Sequence, residues 1–279
     1  MKSKEGRFKG KKDVEIFWQS WLPTRPKAVV VIVHGLGEHS GRYAHVAEAL
    51  VNADCAVYAM DHRGHGKSGG PRTMIDRFAH TVDDIDHVVE IARREQPRKP
   101  MFLLGHSMGG ALSLSYTLKN PGKLFALILS GPAVALDGAP PLMKPIAKFM
   151  STIAPKAGLF AVDPGLVSRD PAVVADYAAD PLNAHGKVPA RTLGEIIKFV
   201  EILPAALPLI QLPLLAMHGS DDKLAGVAGS KMVVDRVTSK DKTLKVYDGL
   251  YHEIFNELPA DRAIVLKDLT DWIGARVGR

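Results

Sequence analysis

The chain has 279 residues with 46% hydrophobic and 24% charged side chains, an ordinary globular composition that supports one large domain with its own core. A single cysteine, Cys55, excludes an intrachain disulfide. The formal net charge of +6 is spread among interleaved acids with no recognition motif, which argues against nucleic-acid binding.

The basic start MKSKEGRFKGKK is followed by no apolar segment of a secretory signal. Ala28–Val33 (AVVVIV) has the unbroken β-branched character of a strand buried on both faces. It runs into His34-Gly35-Leu36-Gly37-Glu38-His39, a glycine-rich loop that lets the Leu36 N–H face a site at the strand end. His34 is expected to anchor that loop by hydrogen bonding. Cys55–Met60 reads as the next strand, followed by Asp61–Gly70 (DHRGHGKSGG). This loop lacks the G-x-x-x-x-G-K-[ST] order of a phosphate cradle. His62 and His65 invite a metal, but no further ligands at zinc spacing accompany them, so a structural loop and no metal are expected.

Thr81–Arg93 sets Val82, Ile85, Val88, Val89 and Ala92 at helical spacing. Met101–Gly105 is a short strand, a helix follows Ser107 as far as Asn120-Pro121-Gly122, and Leu124–Leu129 is another strand. This alternation predicts an α/β class, with a mostly parallel sheet carrying helices on both faces. From Gly131 to Pro208 the rhythm breaks and no clear strand is seen. Prolines and glycines cluster around Asp137–Pro145 and Pro155–Gly165. Between them Leu142, Ile146, Phe149, Met150 and Ile153 share one helical face, with Lys144 and Lys148 off it. The region reads as an inserted helical cap, residues 131–208, on a core of residues 1–130 and 209–279. Strand character returns at Leu212–Met217 and Thr243–Tyr247, and a final helix spans Pro259–Val277 with its proline in the first turn.

The motif that carries chemistry is Gly105-His106-Ser107-Met108-Gly109, a G-x-S-x-G between a strand and a helix. On such a turn the serine hydroxyl stands free of the sheet. The following helix aims its positive end at the site, and the Met108 N–H is the natural partner of the Leu36 N–H in an oxyanion hole. Serine alone is a poor nucleophile and needs a base. Of eleven histidines, His252 lies after the last strand, in a loop able to reach back over the sheet edge. His218 follows Ser107 too, but at a strand end, and His185 lies in the insertion. The acid should follow Leu212–Met217, where Asp221 and Asp222 are adjacent. Asp222 is preferred because it lies further round the turn after Gly219; Asp221 suits a solvated Asx turn.

With those residues assembled, the chain resembles the monoacylglycerol lipase family, particularly bacterial members, of the α/β-hydrolase fold. The resemblance rests on HGLGEHSGRY (His34–Tyr43), DHRGHGKSGG (Asp61–Gly70), GHSMGG (Gly105–Gly110), HGSDDKL (His218–Leu224) and GLYHEIFNE (Gly249–Glu257). It implies hydrolysis of a monoacylglycerol to fatty acid and glycerol without a cofactor. It also implies a Ser107–Asp222–His252 triad, an oxyanion hole of the Leu36 and Met108 amides, and a cap over an apolar acyl tunnel. Some members carry a cysteine after the acid loop where this chain has Ala225 and Gly226. Ile146, Phe149 and Met150 are the candidate substrate-binding residues of the cap, with contact to a membrane or micelle as the other use of that face. A lysophospholipase or broad carboxylesterase is the rival activity, and an inactive lipid-binding module the rival of another class. No apolar run reaches the ~18 residues a membrane span requires. A cytoplasmic protein is therefore expected, peripheral lipid contact being left open.

Overall fold

Strands of unbroken apolar residues must be covered on both faces, and the chain meets that demand with helices packed on either side of one sheet. The computed structural model describes residues 2–135 and 142–278. The strands are β1 (Lys2–Lys9), β2 (Glu15–Leu22), β3 (Ala28–Val33), β4 (Cys55–Met60), β5 (Met101–His106), β6 (Ala126–Ser130), β7 (Gly158–Phe160), β8 (Val188–Pro189), β9 (Leu214–Gly219) and β10 (Lys242–Tyr247). The helices are α1 (Ala44–Asn52), α2 (Phe78–Glu95), α3 (Met108–Lys119), α4 (Met143–Ile153), α5 (Pro171–Ala179), α6 (Ala190–Ala206), α7 (Ala228–Arg236) and α8 (Pro259–Val277).

The main sheet has the order β1-β2-β4-β3-β5-β6-β9-β10. From β4 to β10 all neighbours are parallel, while β1 and β2 form an antiparallel hairpin against β4. Alternation along β3 divides the core. Val29, Val31 and Val33 pack with α2, α3, α6 and α7, and Ala28, Val30 and Ile32 pack with α1 and α8. The chain passes from β3 to β4 on one side and then crosses to β5 on the other. The carboxyl ends of β3 and β5 therefore flank a switch point, where open α/β sheets place their ligands. Val33 pairs with Gly105 at that end, so the loops beginning at His34 and Ser107 leave the sheet side by side.

The strands and helices expected from the apolar runs are present, most with ends moved by a residue or two. The β1–β2 hairpin is an addition to that reading. The β1 residues are mostly exposed, and its charged side chains hide the strand alternation. Charge also protects an edge strand from pairing with another chain. The inserted stretch is not free of strands either: β7 and β8 pair antiparallel, too briefly to show a period. Of the Asp137–Pro145 cluster, residues 137–141 lie outside the described residues.

The insertion enters between β6 and β9, which are adjacent in the sheet. Its last helix is joined to the main core: Ile196, Phe199, Val200 and Leu203 of α6 pack in the same cluster as Phe78, whose ring centroid lies 5.5 Å from that of Phe199. Helix α4 rests on α6 through small residues. A side chain at Gly194 would collide with Ser151, and Ala147 is buried beside it. Lys148 pairs with Glu201 at 2.9 Å. Among the described residues no helix is long and apolar enough to cross a membrane.

Candidate active site

The tight turn from β5 into α3 puts Ser107 at φ 53° and ψ −122°, a left-handed conformation that a residue with a Cβ adopts at a cost of ~1–3 kcal/mol. The surroundings hold it there. The Ser107 N–H donates to Ser130 O at 3.0 Å, and the Ser107 carbonyl accepts from Gly110 at 2.9 Å and Ala133 at 3.0 Å. Two flanking glycines are required by contact rather than by their own φ. A Cβ on Gly109 would strike the Val33 and His34 carbonyls, and one on Gly105 would strike the Gly109 carbonyl.

His252 and Asp222 meet as expected. His252 Nδ1 lies 2.7 Å from Asp222 Oδ2, with both side chains buried. The other carboxylate oxygen, Oδ1, accepts the Leu224 and Ala225 N–H groups, each at 2.8 Å. Asp221 is exposed, and among the described residues its carboxylate takes only the neighbouring Ser220 hydroxyl, at 3.1 Å. The two adjacent aspartates thus differ in setting: Asp222, preferred from the sequence, is buried against His252, and Asp221 is exposed. Burial pushes Asp222 toward its neutral form, but hydrogen bonds from two histidines and the loop amides outweigh it and hold the carboxyl well below its usual range. For His252 burial opposes the charge, and the Asp222 hydrogen bond, aided by Glu253 and Glu38, prevails and raises its pKa above the ordinary value.

Ser107 and His252 open on one cavity of about 470 Å³, a size typical of small-ligand pockets. Among the described residues the Ser107 hydroxyl makes no hydrogen bond to another side chain; contacts of this kind commonly tighten only around bound substrate. Leu36 and Met108 line the same cavity. Among the described residues neither backbone N–H has a hydrogen-bond partner, which leaves both free for an oxyanion. The loop is braced from beneath. Glu38 Oε1 accepts the Gly35 N–H at 2.6 Å and the Tyr43 hydroxyl at 2.7 Å. Arg42 then bridges Glu38 Oε2 at 3.0 Å to both oxygens of Glu253 at 2.6 and 2.7 Å.

His34, expected as a loop anchor, is one: its Nδ1 lies 2.7 Å from Gly35 O, and its Nε2 accepts the His62 N–H at 2.9 Å. His62 Nε2 returns to His34 O at 2.9 Å, and His65 Nδ1 lies 3.0 Å from Arg63 O. Burial, reinforced by mutual proximity, drives His62 to about 3, and burial takes His65 to about 4. These are neutral, hydrogen-bonded braces. His185 is exposed in the insertion and bonds Asp180 O at 2.9 Å, away from the triad.

The cap residues expected at the substrate stand elsewhere. Ile146, Phe149 and Met150 are not among the residues that line the cavity. Ala147 and Ser151 occupy the inward face of α4 against Gly194, so Ile146 and Phe149 turn outward and are 53% and 62% exposed, while Met150 is half-buried. The apolar wall comes instead from Ala133 and Ala135 after β6, Val162 before α5, and Leu193 and Ile196 of α6.

Residues 24–259 match the family model described as serine aminopeptidase, S33. The chain is 45% identical over 271 residues to the monoacylglycerol lipase of Mycolicibacterium smegmatis, across 96% of each chain. It belongs to the monoacylglycerol lipase family. The human monoglyceride lipase is 34% identical, across 94% of this chain and 87% of that one. The crystal structure of a Paleococcus ferrophilus monoacylglycerol lipase matches with a TM-score of 0.84 at 30% identity, covering 99% of each chain.

Sequence reasoning overlooked two parts of this monoacylglycerol lipase family site, the Arg42 bridge and Glu253, and weighed the buried His218 only as a rival base. Glu38 and Arg42 are four residues apart in GEHSGRY, a pairing distance on a helical turn, which was the available signal. Glu253 offers a pH test. In the role of base expected of it, His252 must be neutral to take a proton, so activity should fall as pH drops through its raised pKa, above the ordinary 6.5. Glu253→Gln removes one of the negative charges that raise it. The acid limb of kcat should move to lower pH; an unmoved limb, or one moved upward, would contradict the electrostatic assignment.

Proposed function

We propose that Ser107, Asp222 and His252 act as a catalytic triad that hydrolyses monoacylglycerols. The carrying observation is the strained Ser107 elbow and the Asp222–His252 pair opening on one cavity beside two backbone amides that are unpaired among the described residues. His252 accepts the Ser107 proton as the oxygen attacks the ester carbonyl. The oxyanion is held by the Leu36 and Met108 N–H groups. Protonated His252 then gives its proton to the departing glycerol oxygen, leaving an acyl-Ser107. Water, deprotonated by His252, releases the fatty acid. Residues 131–208 act as the cap that supplies much of the acyl wall.

The cavity suits a one-chain amphiphile, with Leu193 and Ile196 among its apolar lining residues and Glu38, Glu253 and Lys223 among its polar ones. An aminopeptidase needs carboxylates free to hold a substrate ammonium, and here Arg42 engages both Glu38 and Glu253. A lysophospholipid is the second substrate reading. Lys223 lines the cavity, and among the described residues it has no carboxylate partner, so it supports an anionic headgroup. A panel of mono-, di- and triacylglycerols with lysophospholipids tests the assignment. The monoester of glycerol should be turned over fastest; dominance of a lysophospholipid or of triacylglycerol would overturn it.

Peripheral lipid contact through α4 is part of the same reading. Leu142, Ile146, Phe149 and Ile153 form an exposed apolar stripe, between 53% and 70% accessible, flanked by Lys144 and Lys148. Phe149→Asp should lower activity on aggregated long-chain substrate several-fold while sparing a short soluble ester. Equal losses on both would remove lipid contact from the account.

A further inference from the structure

His218 is fully buried at the carboxyl end of β9, where an imidazole is costly unless its nitrogens are satisfied. Both are. Nε2 lies 2.6 Å from the Ala225 carbonyl and 3.1 Å from Asp222 Oδ2, and Nδ1 lies 2.7 Å from Ser230 Oγ of α7. A carbonyl oxygen only accepts, so Nε2 carries the proton, and in the neutral ring Ser230 donates to Nδ1. Nothing in the triad chemistry requires this second imidazole.

The contacts close a ring. The His218 N–H holds the Ala225 carbonyl; the Ala225 N–H holds Asp222 Oδ1; Asp222 Oδ2 lies beside the His218 N–H and takes His252. The carboxylate is thereby held by two loop amides on one oxygen and by His252 on the other, with the His218 ring 3.1 Å from that second oxygen. Ser230 ties the ring to α7, while the Ala225 carbonyl fixes the tautomer. Each member is buried, so water is a poor substitute for a missing donor.

We propose that His218, set by Ser230, is a positioning residue that orients the Asp222 carboxylate toward His252. It acts through Asp222 and touches no substrate. The inference rests on the triad reading above. Its expected signature is a loss in kcat without a loss in KM, because a base misplaced by a fraction of an ångström weakens the transition state and leaves ground-state binding intact.

The test compares His218→Met, which fills the space without a donor, with His218→Gln, whose amide can replace the Nε2–H. Ser230→Ala and Asp222→Asn complete the set. Kinetics are read well below each melting temperature, alongside the far-downfield proton resonance of the His252–Asp222 hydrogen bond. His218→Met should lose about tenfold in kcat with KM unchanged and lose or shift that resonance. His218→Gln should stay within about twofold of the parent, and Ser230→Ala should lose a few-fold in kcat. If His218→Met does not fold, the contrast of Ser230→Ala with the parent carries the same test. Parent-like kcat and resonance in His218→Met, or in Ser230→Ala if that arm is needed, would overturn the inference while leaving the triad intact. Parent-like activity in Asp222→Asn would instead remove the triad reading itself.

Discussion

Ser107→Ala should lower kcat by about 10⁶ while the protein keeps its melting temperature. The size follows from function in concert. Without the hydroxyl there is no acyl intermediate, and His252 and Asp222 have nothing to activate. Residual turnover of ~10³–10⁴ over water should persist, because the Leu36 and Met108 amides and the cavity remain. The unchanged stability follows from the side chain: among the described residues the Ser107 hydroxyl makes no hydrogen bond to another side chain, so its loss costs the fold little, while alanine keeps the Cβ and with it the backbone strain at φ 53°. Kinetics on a monoacylglycerol with a thermal melt would check both. A Ser107→Ala enzyme within a hundredfold of the parent would mean that another group performs the attack.

Asp222→Asn should cost about 10⁴ in kcat with little change in KM, and Asp221→Asn should cost almost nothing. The carboxylate accepts from His252 on one oxygen and from two loop amides on the other. An amide of the same shape would present an N–H to one of those donors and drive His252 into the wrong tautomer. Asp221 is exposed and, among the described residues, holds only Ser220. Steady-state kinetics of the two variants side by side make the contrast, and comparable losses in both would break the assignment.

The frame of this fold was open to reading because its central strands are buried on both faces and therefore continuously apolar. Ala28–Val33 could hardly be anything else. The order of serine, acid and histidine along the chain follows from which strands carry the loops, so it too was legible. The choice between Asp221 and Asp222 was not a matter of composition; it depends on which side of a turn a carboxylate leaves the backbone. The stripe on α4 shows the limit of periodicity. Spacing placed Ile146 and Phe149 on one face, but only the close approach of Ala147 and Ser151 to Gly194 determines that this face turns outward. The bridge from Glu38 through Arg42 to Glu253 joins residues more than 200 positions apart, and no local pattern encodes such a contact.

Treatment with a fluorophosphonate followed by peptide mass analysis bears most directly on the triad. Stoichiometric modification confined to Ser107 in the parent, and its loss in His252→Ala, is the expected result. Modification at another serine, or undiminished labelling of Ser107 without His252, would show that the hydroxyl is not activated by this imidazole.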